Sequence, residues 1–131
     1  VNSSNQSLEL FQSKDFLGPY SKHPNSPISL TPDGSRMAGE IVVFDGNLIR
    51  IGQDCSNKYG NSISVFKIIE INDRQYAERK IGKIRLDDRS GPHTLCLRED
   101  KAYLDYYEER FSLFAFVPRI VSYFRGIKIL S

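Results

Sequence analysis

The segment GEIVVFDGNLIRIG, residues 39–52, constrains the fold more than any other part of the chain. Two runs rich in β-branched residues flank Asp45-Gly46-Asn47, a tight hairpin turn in which glycine takes a positive φ. A third run, SISVFKIIEI, passes through Asn72-Asp73-Arg74 into a fourth, QYAERKIGKIRL. The spacing predicts a four-stranded antiparallel meander over residues 36–86. A further pair, HTLCLRED and KAYLDYYEE, turns near Asp100. No long amphipathic helical pattern stands beside these strands. The fold class read from the sequence is all-β, built from consecutive hairpins.

The flanks read differently. SLELFQSK is a first strand signal. The stretch DFLGPYSKHPNSPISLTPDGSR then carries Pro19, Pro24, Pro27 and Pro32, and proline cannot donate to a strand ladder. This predicts an extended surface connector. The tail, residues 113–131, is apolar and basic, and Pro118 and Gly126 interrupt any helix there. EIVVF and SVFKIIEI are apolar on both faces, which implies sheets stacked on sheets, as in propeller blades or sandwiches.

Composition bounds the function classes. The 131 residues suit one domain, and 40% hydrophobic with 26% charged residues is globular usage. A net charge of +2 gives no pull toward nucleic acid or an anionic membrane. No run approaches the roughly 20 apolar residues of a transmembrane span. The first residues lack the basic and apolar regions of a signal peptide, so the compartment stays open with the cytoplasm favoured. Cys55 and Cys96 have no metal-ligand spacing and read as free, partly buried thiols, with a single disulfide as the alternative. There is no phosphate-binding loop, nucleophile elbow or dinucleotide fingerprint, so no cofactor is expected.

Strand direction brings distant residues to one rim. In an up-and-down meander the start of the first strand, the end of the second, the start of the third and the end of the fourth share one end. Arg36, Gln53, Asp54, Tyr59 and His93 would all fall there. These five are the candidate ligand-binding residues. A guanidinium at Arg36 would fork onto a carboxylate, a phosphate or sugar hydroxyls, or else form a structural salt bridge. Asp54 would accept from a sugar hydroxyl, act as a catalytic carboxylate, or lock the turn by pairing with Arg50 or Arg36. Tyr59 would stack on a sugar ring or simply pack. His93 would serve as acid/base, as a metal ligand or as a structural hydrogen-bond partner. Since His23 is the only other histidine and sits where it would cap a loop, no protein-only metal site is expected. Glu40, just inside the first strand, is the other candidate catalytic carboxylate. Asp45, in the hairpin turn at the opposite end from Asp54, is set aside.

The motifs FLGPYSKHPNSPI, SRMAGEIVVFDGNLIRIGQDCSNKYGNSISVFKI, YAERKIGKI and GPHTL follow one another in an order with a known counterpart. The order resembles the closing part of the five-bladed β-propeller domain of glucosamine inositolphosphorylceramide transferase-like proteins. That domain is itself similar to the furanosidase-type propellers of arabinanases and xylosidases. The likeness covers roughly residues 8–112 and is densest at 36–63. It implies a partial five-bladed propeller, about one full blade plus parts of two others. Residues 1–35 would end a preceding blade and supply the proline-rich connector. Residues 36–86 would be the complete blade, 87–112 the start of the next, and 113–131 a tail.

The resemblance also implies a function. The expected role is a carbohydrate-associated module, accessory to glycosyl transfer in glycan or glycolipid synthesis, with a sugar or nucleotide sugar as ligand. In furanosidase-type enzymes the catalytic carboxylates are spread over several blades, including early ones not represented in this chain. The isolated chain is therefore expected to be inactive, and to self-associate or draw the missing blades from a partner chain. The alternatives are a glycoside hydrolase-like or glycosyltransferase enzyme active only in a completed propeller, and a purely structural interaction domain.

Overall fold

The computed structural model describes residues 5–86, 90–98 and 101–108. The strands are β1 (Phe11–Gln12), β2 (Ser21–Lys22), β3 (Asp33–Met37), β4 (Val42–Phe44), β5 (Asn47–Asp54), β6 (Ser62–Ile71), β7 (Tyr76–Ile84), β8 (Ser90–Arg98) and β9 (Lys101–Glu108). Among the described residues there is no helix, and so none long and apolar enough to cross a membrane. All pairings are antiparallel. The tail at 113–131 and the turn near Asp100 lie outside the described residues.

The central sheet is the expected meander, with its outer strand in two pieces. β3 and β4 both pair with β5, and β6 and β7 follow in order. The hairpin loop has two residues rather than three: Phe44 pairs with Asn47. Asp45 (φ 48°) and Gly46 (φ 67°) both sit in the left-handed region, the geometry whose twist matches a strand pair. The outer strand breaks at residues 38–41 because another element arrives there. The Ala38 N–H donates to Ile51 O (3.0 Å), and the Ala38 carbonyl accepts from Leu95 N–H (2.8 Å) of β8. A side chain at Gly39 would meet the Leu95 carbonyl at 2.3 Å.

Gly52 does not break β5. The strand runs straight through it. Its glycine answers a close approach, since a Cβ there would lie 2.3 Å from Gly34 O. The N-terminal connector is also more folded than expected. It forms β1–β2 and a bridge from Leu8 to Ser29, while the longer strand expected over SLELFQSK shrinks to two residues. Buried His23 pins this segment to the β6–β7 turn. Its Nδ1 accepts from Asn25 N–H (3.1 Å), so Nε2 carries the proton and donates to Asn72 O (2.9 Å).

Alternation along β5 divides the sheet. Ile49 and Ile51 pack with Ala38, Ile63 and Leu95 in the apolar core beneath the β8–β9 hairpin. Arg50, Gly52 and Asp54 face the other way, beside Ser62 and Ser64 of β6. Burial on both faces holds only in this middle region. Val43, Phe44, Ile69, Ile71 and Ile81 are exposed. Cys55 and Cys96 are free and half-buried.

Candidate functional site

The expected rim forms, in two layers. Register puts Asp33 opposite Asp54 and Arg36 opposite Gln53, so the start of β3 and the end of β5 coincide. The β5–β6 loop carries Tyr59 to the same end. His93 arrives from β8, where it is the unpaired extra residue of a bulge: Pro92 pairs with Tyr106 and Thr94 with Asp105. A bulge of this kind re-aims a side chain away from the regular alternation.

The outer layer is a ladder of three side chains. The Arg36 guanidinium carbon lies 5.3 Å from the Tyr59 ring centroid, and the Tyr59 and His93 ring centroids are 5.8 Å apart at 43°. Tyr59 is 43% exposed, so the ladder is open to solvent. Its backbone is held: Tyr107 Oη donates to Tyr59 O (2.7 Å), and Gly60 follows at φ 65° against Pro92 O and the Tyr107 ring. Arg36 Nη1 reaches Asn5 Oδ1 at 3.4 Å. His93 Nδ1 lies 2.9 Å from Thr94 Oγ1 and 3.4 Å from Asp105 Oδ2.

The inner layer holds the ladder in place. Gln53 is buried and donates through Nε2 to Pro92 O (3.2 Å), tying the sheet to the strand that carries His93. Asp54 is buried as well. Its Oδ1 accepts from Ser56 N–H (2.9 Å) and Ser56 Oγ (2.5 Å), and its Oδ2 from Asn61 Nδ2 (3.0 Å), Ser62 Oγ (3.0 Å) and Lys83 Nζ (2.7 Å). Burial alone would raise its pKa. The Lys83 ammonium and the Ser56 and Asn61 donors outweigh that and hold the carboxyl well below the usual range. Asp54 thus closes the loop that presents Tyr59.

The polar density of the β5–β6 loop is therefore divided between an inner carboxylate and an outer aromatic. Glu40 is not part of either layer. It lies in the gap between β3 and β4, not inside a strand, and pairs with Arg98 on β8 while remaining exposed. Asp45 is in the β4–β5 turn, as expected.

Among the described residues Asp54 pairs with neither Arg50 nor Arg36; its cation is Lys83. Arg50 donates through Nε and Nη2 to the two oxygens of Glu78, both at 2.6 Å, and through Nη1 to Gly34 O (2.7 Å). Its guanidinium lies 4.1 Å over the Phe66 ring. Tyr76 Oη donates to Glu78 Oε2 (2.6 Å); burial and that carboxylate push its phenol well above the ordinary value. A third cluster was not anticipated: Asp33 accepts from Ser64 Oγ (2.5 Å) and pairs with Lys80 and with Lys83 (3.1 Å). Burial opposes its ionisation, but the Lys80, Ser64 and Lys83 donors win and its pKa falls. The only available signal was the lysine spacing in RKIGK, and two register shifts between β6 and β7 hide which carboxylate each lysine meets. Among the described residues no group of histidine, cysteine and carboxylate side chains is placed to hold a metal.

Residues 1–93 match the family described as "Glucosamine inositolphosphorylceramide transferase 1, N-terminal". Proteins named Glucosamine inositolphosphorylceramide transferase 1 from Oryza sativa subsp. japonica and Arabidopsis thaliana are similar to this chain. The first is 38% identical over 76 residues, 56% of this chain and 10% of that protein. The second is 35% identical over 79 residues, 59% of this chain and 10% of that protein. The chain thus spans about a tenth of the length of these curated relatives. No solved structure matches it. The matched family is an N-terminal region, which gives no support to the expectation of a closing propeller segment.

Proposed function

This chain belongs to the family of the N-terminal region of glucosamine inositolphosphorylceramide transferase 1, and on that premise we propose that it is a carbohydrate-binding module accessory to glycosyl transfer in glycolipid synthesis. The observation that carries the reading is the open Arg36–Tyr59–His93 ladder at one end of the sheet. A half-exposed aromatic ring flanked by hydrogen-bonding side chains suits a sugar, whose apolar patch packs against the ring while its hydroxyls find donors and acceptors. The four-stranded meander is a propeller-type blade in this reading. Its exposed Val43, Phe44 and Ile81 are covered by a second copy or by further blades.

Binding is favoured over bond chemistry because both carboxylate candidates are committed to cations. Asp54 is buried against Lys83, and Glu40 is paired with Arg98. Glycoside chemistry uses two carboxyl groups facing one bond. Calorimetric titration with glucosamine and with a nucleotide sugar tests the proposal. Binding that weakens about tenfold in Tyr59→Ala, with the circular dichroism unchanged, is expected. Absence of binding by both sugars removes the proposal, and turnover abolished by Glu40→Gln or Asp54→Asn overturns its non-catalytic part.

A further inference from the structure

Two large apolar side chains stand out in solvent at one tip of the fold. Phe16 and Leu17, in the loop between β1 and β2, are 89% and 88% exposed. The backbone that carries them is braced. Ser13 Oγ accepts from Asp15 N–H (3.1 Å), Asp15 Oδ1 from Leu17 N–H (2.9 Å) and the Asp15 carbonyl from Gly18 N–H (3.0 Å). Tyr20 Oη donates to the Phe16 carbonyl (2.5 Å). Gly18 turns the chain at φ 91°, close against the Tyr20 ring. A loop held by its own polar groups presents its tip in one arrangement, which lowers the ordering cost of an association.

Beside the tip lies a cleft of about 480 Å³, with room for a phenyl ring and an isobutyl group. Asp15 just before the tip and Pro19 just after it form part of the wall. Gln12, Lys14 and Ser21 of the same hairpin and Asp73 of the β6–β7 turn complete it. Gln12 Nε2 ties the two elements together by donating to Asp73 O (3.3 Å). Among the described residues neither the Lys14 ammonium nor the Asp73 carboxylate has an ion-pair or hydrogen-bond partner. An apolar knob adjoining a cleft that carries one unpaired cation and one unpaired anion is self-complementary. A two-fold axis through this patch sets the knob of each copy against the cleft of the other and makes every contact twice. We infer that a second copy of this chain docks here, Phe16 and Leu17 entering the partner's cleft and Lys14 pairing with the partner's Asp73. The apolar anchors supply the affinity and the ion pairs set the register. A bilayer suits the patch less well, because Asp15 and Asp73 flank the tip and would be drawn toward the apolar phase with it. The inference is independent of the sugar-binding reading, whose ladder lies at the other end of β6.

Sedimentation equilibrium of the full chain over a concentration series tests it. The mass of the unaltered chain is expected to rise toward that of a dimer. Phe16→Ser and Leu17→Ser should each weaken dimerisation about tenfold or more, because a substitution across a two-fold acts twice. Both positions are exposed, so these variants should melt like the unaltered chain. Lys14→Glu and Asp73→Lys should each weaken the dimer by opposing like charges, and the two together should restore it. A monomer at every concentration overturns the inference. So does a dimer that Val43→Ser, on a strand face, abolishes and Phe16→Ser leaves intact. A monomer that co-sediments with phosphatidylcholine vesicles, and no longer does so as Phe16→Ser, assigns the tip to a bilayer and overturns the inference as well.

Discussion

Removing one half of the Arg50–Glu78 pair should be among the most damaging single changes available in this fold. The Arg50 side chain is 1% exposed and that of Glu78 12%, with two parallel 2.6 Å bonds between them. In Glu78→Ala a guanidinium is left buried over Phe66 with Gly34 O as its remaining oxygen acceptor, and Tyr76 Oη loses its acceptor too. Breaking a buried pair in this way costs about 3–5 kcal/mol. For a chain of this size each kcal/mol moves the melting temperature by roughly 4 °C, so a fall of about 12–20 °C is expected. Differential scanning calorimetry of Glu78→Ala, Arg50→Met and the double variant Arg50→Met/Glu78→Leu measures it. The double variant should recover much of the loss, since apolar replacement of both partners removes the unpaired charge. Single-variant losses below about 1 kcal/mol, the range of an exposed pair, would refute the reasoning.

Asp54 and Asp33 both have folded pKa values depressed below the unfolded ones, so each contributes stability that is fully present above about pH 4. That contribution should be lost progressively as pH falls through and below this range; urea midpoints that stay flat from pH 5 to pH 2 would contradict it. Lys83→Met should cost about 3 kcal/mol near neutrality, read from the urea midpoint, by leaving Asp54 buried without its cation, and should make the loss on acidification shallower because the Asp54 pKa is then less depressed. Gly52→Ala should cost about 1–3 kcal/mol by thermal melting, because the new Cβ meets Gly34 backbone and β3 must move. The apparent mass by light scattering should rise with concentration as exposed strand faces pair; a constant monomer mass would count against self-association.

The meander was legible because its signals are local. Residue alternation and the Asp-Gly turn specify a hairpin from within a dozen residues, and strand direction then brings Arg36, Gln53, Asp54 and Tyr59 to one end. What was not legible depends on encounters between distant segments. The break between β3 and β4 exists because β8 docks at Ala38. Arg50 and Asp54 share a face but stand four residues apart along an extended strand, about 13 Å, so Arg50 meets Glu78 across β6 instead, at a level that the register shifts between β6 and β7 set. The division of the rim into exposed and buried layers also needed the fold. Gln53 and Asp54 look like surface residues in the sequence, and only the β8–β9 hairpin and Lys83 show them to be struts beneath Tyr59. The family relation was carried by ordered motifs, but those motifs do not say which part of a relative's length they match.

The central claim, that the Arg36–Tyr59–His93 ladder is a carbohydrate-binding surface, is tested most directly by chemical-shift mapping. The isotope-labelled chain would be titrated with glucosamine and the backbone and side-chain resonances followed. The account predicts saturable shifts concentrated at Arg36, Tyr59, Gly60 and His93, with the Glu40–Arg98 pair unmoved. Shifts centred elsewhere on the sheet, or none at saturating sugar, would contradict it.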